Sequence, residues 1–271
     1  MSLKSGLAAA FALALATGAA TVSAGVVISQ DVVVSDNTAA PRTDHQTVMI
    51  QGHKQAVIEG NREFLSDLDA GTTTVINTDT RRYFAVPAGM LSVRLIWQGS
   101  FIELKKTAIS EKVAGYACDD YAGSAVVAHQ NLMVTKCVAR DAPGAREFVE
   151  FQKAQAARLK RSPATPEVQI PDGIPLSSGI TRTTMPFVPP RGFPPEQAAR
   201  INAGLARYKP VTNITTVTKI ELKDLAADVF AVPAGYTKGE SREMTPHLVK
   251  VAPKNPAPPG TAGSPAASPQ H

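Results

Sequence analysis

KQAVIEGNREFLSDLDAGTTTVINTDTRRYFAVP, residues 54–87, decides the fold. It divides into four short runs rich in Val, Ile, Thr and aromatics: KQAVIE (54–59), REFLSDL (62–68), TTTVIN (72–77) and RRYFAV (81–86). Between them stand Gly60 with Asn61, Asp69 to Gly71, and Asn77 to Thr80. β-Branched and aromatic side chains suit a pleated, half-buried surface, and Gly, Asn and Asp close tight turns. Runs of this length at this spacing predict an antiparallel meander.

The same pattern extends both ways. Upstream lie VVISQDVVV (26–34) and TVMIQG (47–52); downstream lie IELKKTAI (102–109), IPLSSGITRTT (174–184) and VTNITTVTKIEL (211–222). KVAGYACDDYAG and NLMVTKCVAR read as a hairpin with its loop around Ser124 to Gln130. Two helices interrupt the strands. One follows Asp141 and Pro143, with Phe148, Val149, Ala156 and Leu159 as its apolar stripe. The other opens on Pro195, where a missing N–H costs nothing, and repeats Ala198, Ile201, Leu205 and Tyr208. PFVPPRGFPP (186–195) between them reads as a proline-rich loop. The expected class is α+β: an antiparallel meander with about two helices, in a single β-rich domain over 25–250.

"FAVPAG" occurs at Phe84–Gly89 and again at Phe230–Gly235. Proline cannot donate to a ladder and glycine permits a positive φ, so both copies read as strand terminators with an apolar anchor.

The N-terminus sets the compartment. Lys4 precedes the uncharged run LAAAFALALA (7–16), and Val22, Ser23 and Ala24 form a small-residue site, the layout of a cleaved signal over 1–24. The run is shorter than the roughly 20 residues a spanning helix needs, and no later stretch is more apolar. Residues 251–271 are rich in Pro, Ala, Gly and Ser, and read as a disordered tail. In an oxidising compartment Cys118 and Cys137 are expected to pair. Such a bridge places Tyr121 opposite Val134.

Little else resembles chemistry. The formal net charge of +5 is scattered and aromatics are 6% of residues, which disfavours a nucleic-acid groove. No GxSxG, HExxH or phosphate-binding loop occurs. His45, His53, His129 and His247 are dispersed, and Asp119 and Asp120 point to opposite faces of a strand. The sequence therefore points to no catalytic residue, no metal and no cofactor.

AVIEGNREFLSDLDAGTTTVINTDTRRYFAVP, KVAGYACDDYAG, Cys137, DAPGAREFVEFQKA and VTKIELKDLAADVFAVPAGYTK together resemble a family of exported bacterial proteins with a domain of unknown function. The resemblance implies a half-barrel sheet curled over helices, as in the lipoprotein-carrier (LolA-like) fold, and a periplasmic or secreted location. It implies no reaction. Under it, a hydrophobic ligand would sit against the first helix, with Phe148, Phe151 and Leu159 as binding residues. The alternative is a non-catalytic structural or interaction protein of the envelope, with another envelope protein as partner.

N-terminal sequencing of the exported protein is expected to begin at Gly25. A start at Met1 in the exported fraction would contradict the signal reading.

Overall fold

A computed structural model of the chain describes residues 24–36, 40–87, 102–127, 130–159 and 171–240. The expected signal segment (1–24, but for Ala24 itself) and the expected Pro/Ala-rich tail (251–271) lie outside the described residues. The described strands are β1 (Gly25–Ser35), β2 (Arg42–Gln51), β3 (Lys54–Glu59), β4 (Arg62–Asp67), β5 (Thr72–Asn77), β6 (Arg82–Pro87), β7 (Lys105–Val113), β8 (Tyr116–Val127), β9 (Gln130–Ala139), β10 (Ile174–Thr184), β11 (Val211–Lys223) and β12 (Thr237–Lys238). The helices are α1 (Ala145–Leu159) and α2 (Pro195–Leu205). The strands form one 12-stranded sheet in the order β12-β6-β5-β4-β3-β2-β1-β11-β10-β9-β8-β7. It is a large, open, curled antiparallel sheet with two helices.

The meander of 54–87 stands as read. Gly60 and Asn61 join β3 to β4, and Gly60 has φ +56°, which the two-residue turn requires and a glycine supplies without strain. Pairing then aligns Ile28, Val48, Val57, Phe64, Val75 and Phe84 across six strands on one face. α1 packs across β1, β2 and β10 on this side. Phe151 is 0% exposed there, among Val26, Ile28, Val48, Ile50, Leu176 and Ile220. Burying one such ring contributes about 1.5–3 kcal/mol. Glu147 in the first turn and Arg158 in the last complement the helix dipole. The expected stripe on α1 is shifted: Phe148 and Val149 are half-buried and Ala156 is exposed.

The opposite face of the meander carries Ala56, Leu65 and Ile76, with Met49 and Tyr83 beside them. The chain after β11 covers it. A short 3-10 turn, Ala227–Phe230, begins a strap whose Val229, Phe230, Val232 and Tyr236 pack on that patch. The strap ends as β12, parallel to β6, with the Thr237 N–H donating to the Arg81 carbonyl at 3.0 Å and Gly239 to Tyr83 at 2.7 Å. This corrects the reading of the second hexapeptide. Phe84 to Pro87 do end a strand, but Phe230 to Gly235 belong to the strap. The second copy instead covers the back of the sheet whose last antiparallel strand carries the first.

Cys118 and Cys137 are bonded, with Cα atoms 5.3 Å apart. The register around them differs from expectation: Tyr121 faces Lys136, and Val134 faces Gly123. Asp120, not Cys118, is the direct partner of Cys137, so the bridge runs diagonally. On α2, Ala198 is buried and Leu205 half-buried, but Ile201 and Tyr208 are exposed. That helix holds to the chain before it through Asn202. Its amide accepts the Phe187 N–H at 2.7 Å and donates to the Phe187 carbonyl at 3.1 Å. Phe187 and Phe193 stack edge to face at 5.2 Å.

Replacing both cysteines by serine is expected to lower stability by about 2–4 kcal/mol, read by chemical denaturation. Titration of the unfolded, unreduced wild type should find no free thiol; two free thiols would contradict the bond.

Candidate functional site

The curled sheet brings β7 back toward β11. The residues just before β7 fill part of the hollow: Ile102 and Leu104 pack on Leu132, Val134, Ala125 and Ile180. Gly123 allows this approach. A Cβ there would collide with the Glu103 carbonyl oxygen and lie 2.9 Å from Ile102 Cγ2.

The register defines the rest of this inner face, because directly paired residues share a face. One row runs Tyr121, Lys136, Ser178, Thr215 and Val32. The next runs Gly123, Val134, Ile180, Asn213 and Val34. A third holds Ala125, Leu132, Arg182 and Val211. β1 pairs with β2 without interruption, so Val32 and Val34 continue the side on which α1 covers Val26 and Ile28. Beyond the helix the covering thins. Val32, Val34, Ser178, Ile180, Val211, Asn213 and Thr215 are all only half-buried. The result is a half-buried strip, a candidate groove, with apolar side chains along β1, β10 and β11 and polar ones set among them.

Three of the polar groups are costly to place there. Lys136 sits mid-strand among largely buried neighbours, and among the described residues it makes no hydrogen bond or ion pair. Burial pushes its ammonium below the ordinary lysine range. Burial likewise lowers the pKa of Arg182. The Asn213 amide oxygen is buried with no hydrogen-bond partner among the described residues. Nearby, Arg140 donates to the Tyr121 hydroxyl at 3.3 Å. Asp119 is held below the usual carboxylate range chiefly by Lys106, whose ammonium lies 2.7 Å away, with Ser110 adding a longer contact.

The residues singled out in the sequence fall elsewhere. Phe151 is wholly inside the core and Phe148 flanks it. The side chain of Leu159 lies outside those described. His45 and His53 do not meet: their Nδ1 atoms contact Asp31 at 2.6 Å and Asp69 at 2.8 Å respectively. His129 and His247 lie outside the described residues. Asp119 and Asp120 occupy opposite faces, as strand alternation requires. Glu111, Asp120 and Cys137 come together, but the Cys137 sulfur is spent in the disulfide, leaving two carboxylates. The groove residues were missed because Lys136, Ser178 and Asn213 are separated widely in sequence. The only local signal was a lysine at a position whose neighbours two residues away, Val134 and Val138, are apolar.

No family model matches the sequence, and no curated protein matches it. Solved structures superpose on it loosely. PNGF-II aligns over 82% of this chain and 32% of its own, with a TM-score of 0.38 and 9% identity; the chain thus spans about a third of that protein. A LolA superfamily protein from Nitrosomonas europaea aligns over 77% of this chain and 90% of its own, with a TM-score of 0.30 and 9% identity. A domain named for outer membrane lipoprotein sorting, from Vibrio parahaemolyticus, gives 76%, 89%, 0.29 and 9%. The Nitrosomonas europaea protein carries the fold name that the sequence resemblance implied. At these scores the superpositions carry no argument, and the architecture rests on the strands and helices themselves. Among the described residues, no helix is long and apolar enough to cross a membrane.

Lys136→Met is expected to fold and to gain stability on the order of 1 kcal/mol near neutral pH, because an unpartnered cation leaves a desolvated site. A base whose folded pKa is lowered binds fewer protons folded than unfolded. Its penalty is therefore complete below the folded pKa and relieved as pH rises toward the ordinary value of about 10.4. Denaturation at neutral pH and near pH 10 should show the gap between variant and wild type closing. A variant less stable at neutral pH, or a widening gap, would contradict the account.

Proposed function

We propose that the protein is an exported, non-catalytic binding protein that holds a hydrophobic or amphiphilic ligand in the groove between α1 and the coiled end of the sheet. The observation that carries this reading is the half-buried inner face of β1, β10 and β11, where Val32, Val34, Ile180 and Val211 line a surface that neither α1 nor Ile102 seals. Apolar surface left beside a rigid sheet is where an acyl chain gains most, about 0.8 kcal/mol per buried methylene. Phe148, half-buried at the edge of α1, would border the same space.

A second reading has its own support. On the outer face of β8, β9 and β11, Val126 is 61% exposed, Met133 49% and Ile214 42%, and Val188 before α2 reaches 83%. Apolar residues gathered at one end of a sheet suit contact with another envelope protein.

N-Phenyl-1-naphthylamine, a neutral fluorescent probe, should bind saturably to the wild type at micromolar concentration. Thr215→Trp, which fills the groove, should weaken it at least tenfold with little change in Tm. No saturable binding to the wild type at tens of micromolar, an order-of-magnitude working range, removes the ligand reading and leaves the interaction reading.

A further inference from the structure

The groove contains a lysine that pairs with nothing among the described residues. Lys136 faces Tyr121 on one side and Ser178 on the other, so three donors stand in one cross-strand row. The Tyr121 hydroxyl accepts from Arg140, which leaves its own proton free to donate. Ser178 offers a hydroxyl, and an ammonium has three donors and no acceptor. The two carboxylates placed on this face near the row are already committed: Asp119 to Lys106 at 2.7 Å and Asp44 to Arg42 at 2.8 Å. A neighbouring row supplies apolar contact through the half-buried Val34 and Ile180.

We propose that Tyr121, Lys136 and Ser178 receive the anionic head group of an amphiphile, a carboxylate or a phosphate, whose chain lies along Val32, Val34 and Ile180. The assignment rests on the ligand reading above and sharpens it from a hydrophobic guest to an anionic one. Charge-assisted hydrogen bonds made away from water are stronger than neutral ones, and an incoming anion supplies the partner that the fold withholds from Lys136. The three side chains come from three adjacent strands of the sheet, a rigid mounting that fixes where a head group sits.

Calorimetric titration of the full chain with dodecanoate, dodecyl phosphate and 1-dodecanol tests it. At least one of the two anions should bind about tenfold tighter than the alcohol, and the tighter anion identifies the head group. Lys136→Met should abolish that preference by weakening the anions about tenfold while dodecanol still binds, and Lys136→Arg should retain most of it. Retained dodecanol binding also verifies that the methionine variant keeps its groove. Equal binding of all three by the wild type, or an anion preference that survives Lys136→Met, overturns the head-group assignment and leaves the hydrophobic reading standing. Binding of none of the three overturns both.

Discussion

The pairing of β1 with β11 is the constraint on which the structure depends. Gly25 lies opposite Lys223 and Ser35 opposite Thr212, so the first described strand is joined along its whole length to the last long one. This ladder fuses two strand groups, β2 to β6 and β7 to β10, into one sheet. It also places the register irregularity at Ser29/Gln30 in the centre of the molecule. A second irregularity follows between Pro175 and Ser177, on the other side of β11. Each extra residue deepens the local right-handed twist. These two, in the β1–β11 and β9–β10 ladders, and a third between Lys106 and Ser110 in β7–β8, add to the coiling that brings β7 toward β11.

Stability and binding pull against each other in this arrangement. At the α1 end, the sheet is sealed by Phe151 and its aliphatic neighbours, and the meander is covered again from behind by the strap. At the coiled end, the interior mixes valines with Lys136 and Asn213. A core chosen for stability alone would place aliphatic residues there, since an unmet buried donor or acceptor costs about 1–3 kcal/mol. Such departures from consistency concentrate where a protein does something other than fold.

Most of the strands were legible because their signals are local. KQAVIE, TTTVIN and IPLSSGITRTT keep their expected bounds, since β-branched runs between turn residues need no distant information. The helices were visible for the same reason, through proline at their starts and a 3.6-residue repeat. What failed was non-local. The Tyr121 register was misplaced because two cysteines fix proximity without fixing whether they sit directly across or diagonally. The second hexapeptide was misread because its partners, Ala56, Leu65 and Ile76, lie far upstream. Ile201 and Tyr208 have helical spacing yet face solvent, since periodicity gives a face and not what covers it. The groove was illegible for a stronger reason: its row of donors exists only once three strands have been brought into register.

The central ladder also bears on how the chain acquires its structure in time. β1 can pair with β2 soon after synthesis begins, but its other edge stays open until β11 is made, almost the whole chain later. Contacts of such long sequence separation form slowly, because loop closure precedes any reward. Until then the nascent protein presents a bare strand edge rich in valine, the kind of surface that chaperones hold and that mispairs when unattended. Under the proposed export, such a delay would keep the chain threadable until it has crossed the membrane.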